Sequence, residues 1–304
     1  MMDCDIRRDL HVPKRIAHEY GVDKTGTITY EFNSLGYRGE EYDPAAKFKI
    51  CVIGESYAFG VGVDLKDTFG HKLKQHIAAS LCLDPCDVNL VNFGVGGASA
   101  DYCVRTLYRQ LAESTVDLLI CQLPPANRTE YFDGKIFHAY AVNAVTSRNR
   151  QGAPIPLVAF CDYYNEQVGR IGLIKNVLLM QAFLKERGIA YVLAAEDELL
   201  EMLEADDLKD YLDWLDPRHV LLHRYFVSKA DRAAGGTNAG PRCHAAFAIE
   251  LLSFYGRMQL ERGNNEIGDR ILQQAQGLKQ HDQDWNYCNT HISKRNLEHQ
   301  AMNK

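Results

Sequence analysis

Apolar positions along this chain recur in two rhythms. Lys49 to Ile53 (KICVI), Val88 to Phe93 (VNLVNF), Asp117 to Leu123 (DLLICQL) and Ile189 to Ala195 (IAYVLAA) are short, nearly unbroken apolar runs bounded by glycine, proline or polar residues. Runs of that length read as strands covered on both faces, as in parallel sheets. Between them, Thr68 to Leu81, Asp101 to Glu113 and Asn165 to Arg187 carry apolar residues at helical spacing, the last ended by Gly188. His244 to Leu260 predicts a closing helix after a glycine-containing loop over 235–243, and 197–232 reads as acidic and helical. From Ala126 to Pro156 the pattern weakens into a long loop region with short elements over the active edge, and 157–162 predicts a further strand. Strands alternating with helices imply a three-layer α/β/α domain on a flavodoxin-like, doubly wound, mostly parallel sheet with right-handed crossovers.

That domain is expected over residues 47–262. Residues 1–46 form a small N-terminal β appendage, in which TGTITYEFNSLGYRGEEY alternates as a short strand or hairpin and then turns at Asn-Ser-Leu-Gly. Residues 263–304 are polar and predict a surface helix followed by a disordered tail.

Composition narrows the class. Hydrophobic residues at 46% and charged residues at 24% of 304 leave enough apolar material for a large core. A net charge of −6 gives no electrostatic reason to expect nucleic acid or an anionic membrane as partner. No apolar run is long enough to span a bilayer, and the opening MMDCDIRRDLHVPKR lacks a secretory core, so a cytoplasmic location is expected. The nine scattered cysteines read as small buried thiols in a reducing compartment. Cys82 and Cys86 have no second Cys or His pair at metal spacing, so neither a zinc site nor any other cofactor is expected.

Three strand ends deliver distinct groups to one edge of the sheet. The first gives Gly54-Glu55-Ser56, the second Asn92-Phe93-Gly94-Val95-Gly96-Gly97, and the third Pro125-Ala126-Asn127-Arg128. Open α/β sheets bind ligands at that edge. Acyl transfer needs a hydroxyl nucleophile and hydrogen-bond donors aimed at the developing oxyanion, each worth about 3 kcal/mol. In VIGESYAFG, NFGVGGAS, LPPANRTEYF and GGTNAGPRCHAAFA the chain resembles the SGNH, or GDSL-like, hydrolase family over 49 to about 260, and NSLGYRG is similar to a segment that precedes the serine block in some members. The resemblance implies Ser56 as nucleophile, with the amides of Ser56 and Gly97 and the Asn127 side chain as oxyanion donors.

The same resemblance leaves the base open. Matching GPRCHAAFA to the end of the family's last block puts Gly235 and Asn238 where Asp and His belong, and His244 at a later, non-catalytic position. Three alternatives follow: His244 as base with Asp231 orienting it; His219, which has Asp-x-x-His spacing in Asp216-Pro-Arg-His219; or no base and an inactive site. The residues also admit plainer readings. The glycines can serve close strand-to-helix packing, Asn127 can be a turn residue, His219 and His223 can lie on an exposed helix face, Arg128 and Glu130 can form surface ion pairs, and Tyr57 and Phe59 can pack into the core. The expected activity is that of a serine esterase or deacylase removing a small acyl group, such as acetyl, from a carbohydrate or other polar small-molecule ester. The alternative is a non-catalytic relative that binds a glycan or a protein partner in the same cleft. The oligomeric state stays open.

Overall fold

A computed structural model of the protein describes residues 28–112, 114–132, 137–141, 155–196, 208–228, 230–236 and 238–290. Its strands are β1 (Phe48–Gly54), β2 (Val88–Asn92), β3 (Leu118–Gln122), β4 (Arg128–Phe132), β5 (Phe137–Ala141), β6 (Ala190–Ala195) and β7 (Val220–Leu222). Its helices are α1 (Ser56–Phe59), α2 (Phe69–Leu81), α3 (Ala100–Gln110), α4 (Ile155–Tyr163), α5 (Glu166–Glu186), α6 (Lys209–Leu212), α7 (Tyr225–Ser228), α8 (Pro241–Glu261) and α9 (Asn265–His281). Five parallel strands form one sheet in the order β2-β1-β3-β6-β7, while β4 and β5 pair antiparallel as a separate hairpin.

Alternation along the strands explains the unbroken apolar runs. Ile50 and Val52 of β1 face a layer that holds Phe69, Leu73 and Ile77 of α2 with Phe247 and Leu251 of α8. Cys51 and Ile53 face the opposite layer, with Leu107 of α3 and Ile174 and Val177 of α5. Both faces are therefore covered, which is the condition under which a strand loses its polar side. The α/β fold expected from the chain is the fold observed, with helices on both sides of a parallel sheet.

Capping residues set the helix starts. Thr68, Ser99 and Asn165 each accept a backbone N–H from the first turn of α2, α3 and α5, at His71, Tyr102 and Val168. α8 begins earlier than the apolar pattern implied, at Pro241, because proline suits the first helical position and Asp231 supplies the missing cap from a distance. Its Oδ2 accepts from Arg242 N at 2.9 Å and its Oδ1 from Cys243 N at 3.0 Å.

Three expectations change. The run over 157–162 lies within α4, not a strand; a short apolar stretch such as IPLVAF has no period that separates a buried helix from a strand. The stretch 197–232 contains β7, whose three residues are too few to show alternation; its first part, 197–207, lies outside the described residues. The short elements expected between 126 and 156 include the paired β4 and β5, while 133–136 and 142–154 lie outside the described residues. The C-terminal segment does form a helix, but α9 is more than a surface feature: Ile271 and Ala275 are buried against α8, where Gly256 and Gly268 let the two backbones approach. A further helix covers 283–290, and the expected disordered end, 291–304, lies outside the described residues.

The segment before β1 is tied to the domain by polar contacts. Asn33 Oδ1 accepts from Leu35 N and Tyr37 N, forming the turn at Asn-Ser-Leu-Gly with Gly36 at φ +81°. Arg38, only 1% exposed, donates to the carbonyls of Phe59 (2.9 Å), Gly60 (2.6 Å) and Val63 (2.6 Å). Glu40 accepts from Lys74 Nζ at 2.6 Å and from Leu90 N at 3.2 Å. Among the described residues no helix is long and apolar enough to cross a membrane.

Candidate functional site

The carboxyl edge of β1, β2 and β3 is built by close approach. Gly54 has φ +149°, and a Cβ there would stand 2.5 Å from the Gln122 carbonyl, so only glycine can end β1 beside β3. Ser56 then opens the single turn of α1, which Gly60 closes in the left-handed region. Asn92 at the end of β2 stitches this turn to its neighbour: its Nδ2 donates to Ala58 O at 2.7 Å, and its Oδ1 accepts from Gly94 N at 2.8 Å. A Cβ on Gly94 would lie 2.5 Å from Phe59 N. Gly94 thus serves packing, whereas Gly97 is exposed at φ +82° with nothing among the described residues within 4 Å of where a Cβ would be.

The third strand end joins the other two through Arg128. Its guanidinium pairs with Glu55, which is buried beside Ser56, and reaches Ala98 O of the second block at 3.4 Å. Asn127 sits half-buried in the turn immediately before it. The surface ion pairs expected for Arg128 and Glu130 are instead largely sheltered. The Glu130 side chain is 7% exposed and takes two hydrogen bonds from Arg105, at 3.1 and 2.8 Å. Next to Arg128 lies a cavity of about 150 Å³ lined by Asp101, Pro125, Thr129 and Asn176 among others. Asp101 accepts there from Thr129 Oγ1 (3.2 Å) and Asn176 Nδ2 (3.0 Å). Tyr57 stacks on Phe226 with centroids 4.4 Å apart and Phe59 is buried, so both follow the packing reading.

Ser56 Oγ donates to the side-chain oxygen of Asn238 at 3.2 Å. Neither histidine expected as base has the environment for that role. His244 is buried, stacked on Phe69, and its Nδ1 accepts from Phe69 N at 3.1 Å. That bond fixes the ring proton of the neutral imidazole on Nε2, leaving no free lone pair to take a proton from serine. Burial pushes its pKa down to about 3. Asp231, the expected orienter, spends both oxygens on the first turn of α8.

His219 has the opposite fault. Its Nδ1 lies 3.1 Å from Tyr191 O, so the ring carries its proton there and leaves Nε2 as acceptor, the tautomer a base needs. Its place is wrong, because it precedes β7 and stacks on Tyr191 near the start of β6, at the amino edge of the sheet. The Asp216 carboxylate is held low in pKa by Arg218 and also contacts Lys185, so it orients no histidine.

His223 follows β7 at the carboxyl edge but is buried, not on an exposed helix face. Its ring packs among Tyr225, Phe226 and Phe247, and among the described residues neither nitrogen has a hydrogen-bond partner. Burial pushes its pKa down to about 3. The folded state therefore binds fewer protons than the unfolded chain below pH ~6.5, and the stability His223 contributes above that pH is lost progressively as pH falls toward the folded value. Replacing His223 by Phe is expected to remove about 2 kcal/mol of the stability lost between pH 7.5 and pH 5, read by urea unfolding at both pH values. An unchanged pH difference would contradict the assignment.

No known family description matches the chain, and no curated protein does. Among solved structures the chain is similar to LAE5, an alpha/beta hydrolase enzyme from the metagenome of Lake Arreo, Spain, at 15% identity, a TM-score of 0.40, and coverage of 70% of this chain and 96% of that one. A likeness at that level carries no inference about chemistry, and the α/β fold rests on the strand order given above.

The partner of Ser56 was visible in the sequence as Asn238, the residue standing where the SGNH resemblance expects a histidine. Arg128 was visible only as an exposed charge, since nothing in Asn-Arg-Thr-Glu announces a buried carboxylate seventy-three positions earlier.

Proposed function

We propose that the protein is a non-catalytic relative of the SGNH hydrolases that holds a small polar ligand, of acyl-ester or carbohydrate type, at the rim formed by Ser56 and Asn238. The observation that carries this reading is the 3.2 Å hydrogen bond between Ser56 Oγ and the Asn238 carboxamide. An amide accepts a hydrogen bond from serine but does not take its proton at neutral pH, and a serine without a base is a poor nucleophile. Paired hydroxyl and amide groups suit recognition of hydroxyl-rich or carbonyl-bearing ligands by direct hydrogen bonds.

A serine esterase or deacylase of SGNH type is the second reading. It is favoured by the delivery of Ser56, Gly97 and Asn127 to the same edge by three neighbouring strands, with Arg128 bridging their ends. A fluorophosphonate probe separates the two. The folded protein is expected to label between pH 6 and 9 no faster than Ser56→Ala, and to show no ester turnover above that variant. Stoichiometric labelling lost in Ser56→Ala would establish the esterase reading instead.

A further inference from the structure

The helix over 283–290 packs against the loop that brings Asn238 to Ser56. Tyr287 Oη donates to Ala230 O at 3.1 Å, and Tyr225 Oη donates to Asn289 Oδ1 at 3.4 Å. Arg242, in the first turn of α8, lies 3.4 Å from Asp284 and sits over the Tyr287 ring at 4.6 Å. Asp231, at the start of the same loop, accepts from the backbone N–H groups of Arg242 and Cys243. Within this set of contacts Cys243 and Cys288 are both fully buried with their Sγ atoms 3.9 Å apart. A disulfide needs an S–S separation of about 2.05 Å, so closure asks for about 2 Å of approach between the two sulfurs.

We propose that Cys243 and Cys288 are a reversible disulfide site that locks the 283–290 helix onto the Asn238 loop, with a low-molecular-weight disulfide such as glutathione disulfide as oxidant. The docked thiols are shielded, and the hydrogen bond with the Cys288 sulfhydryl together with burial raises the pKa of Cys243. Reaction therefore starts when the helix lifts away in a local opening. The exposed Cys288 thiolate attacks one sulfur of glutathione disulfide, forming a mixed disulfide and releasing one glutathione thiolate. On return, the Cys243 thiolate attacks Cys288 Sγ and expels the second glutathione. Two protein thiols are oxidised to one disulfide, the oxidant's S–S bond is reduced to two thiols, and those thiols carry away both protons. The proposal is independent of what the cleft binds.

The test equilibrates the full, folded chain with glutathione disulfide, quenches with acid, blocks residual thiols and maps peptides without reduction. A linkage between the peptides carrying Cys243 and Cys288 is expected, and Cys288→Ser, with Cys288→Ala as the apolar control, should lack it. The oxidised protein should be cut by protease within 283–290 about tenfold more slowly than the reduced one, and the two variants should show no oxidant effect. Modification of the exposed Cys82 and Cys86 without a 243–288 linkage would overturn the proposal. So would a linkage that forms only in denaturant, or one that leaves the cleavage rate unchanged; the wild-type map decides the matter even should both variants fail to fold.

Discussion

Replacing Asn238 by histidine is expected to raise the second-order rate of Ser56 labelling by a fluorophosphonate about a hundredfold over the natural protein. The carboxamide oxygen already accepts a hydrogen bond from the Ser56 hydroxyl at 3.2 Å, so an imidazole nitrogen in its place would meet the same hydroxyl. General-base assistance contributes about 10²–10⁴ in rate, and the lower end applies because residue 235, where the resemblance expects an aspartate to hold the ring, is glycine. Adding Gly235→Asp should increase the rate again. Gly235 has φ +86°, a left-handed conformation that aspartate tolerates better than most residues, and among the described residues nothing lies within 4 Å of its would-be Cβ. Ser56→Ala in the same background must abolish labelling. A folded Asn238→His protein that reacts no faster than its parent would show that the hydroxyl is not presented to an electrophile, and would remove the esterase ancestry from the reading.

The second large effect concerns stability. Arg38→Met is expected to lower the unfolding free energy by about 3–5 kcal/mol, the range for removing one side of a buried charged hydrogen-bond set. Three carbonyls each lose a donor, at Phe59, Gly60 and Val63, with Gly60 O keeping the Val63 N–H at 3.1 Å, and the guanidinium also leaves the face of Tyr30, 4.6 Å from its centroid. Burial lowers the Arg38 pKa to about 10, which still leaves the group charged at neutral pH. Lysine should not rescue, because a single ammonium cannot span carbonyls that the two guanidinium nitrogens divide between them. These carbonyls belong to the turn that follows Ser56, so the same substitution should also slow serine labelling in an Asn238→His background. Urea denaturation gives the first result, and a change below about 1 kcal/mol would mean that water replaces the guanidinium freely.

The strands β1, β2, β3 and β6 were legible because each is covered on both faces, and burial on both faces writes an apolar run that needs no neighbour to interpret it. β7 has only Val220 to Leu222 and depends on pairing with Leu193 to Ala195, so its existence is a property of the sheet and not of its own residues. The run at 157–162 failed for a related reason: a mostly apolar stretch of that length fits either period, and it lies within the helix Ile155–Tyr163. At the site, the serine turn and its glycines were readable from backbone demands alone. The histidines were not, since imidazole chemistry depends on which nitrogen meets which backbone group, and those partners, Phe69 N for His244 and Tyr191 O for His219, lie far away in the chain. Arg38 shows the same limit. The turn that precedes it was apparent, but its destination among the carbonyls after α1 is set by tertiary packing.

The position of β1 has a bearing on how the protein is made. As the chain leaves the ribosome, the strand destined for the middle of β2-β1-β3 emerges first, and its second neighbour is complete only when residue 122 has been synthesised. Until then Ile50 to Ile53 has at least one bare hydrogen-bonding flank, which makes the nascent chain a client for holding factors that shield exposed strands. Fragments ending between β2 and β3 should therefore precipitate, while the domain itself, once closed, hides the same four residues completely.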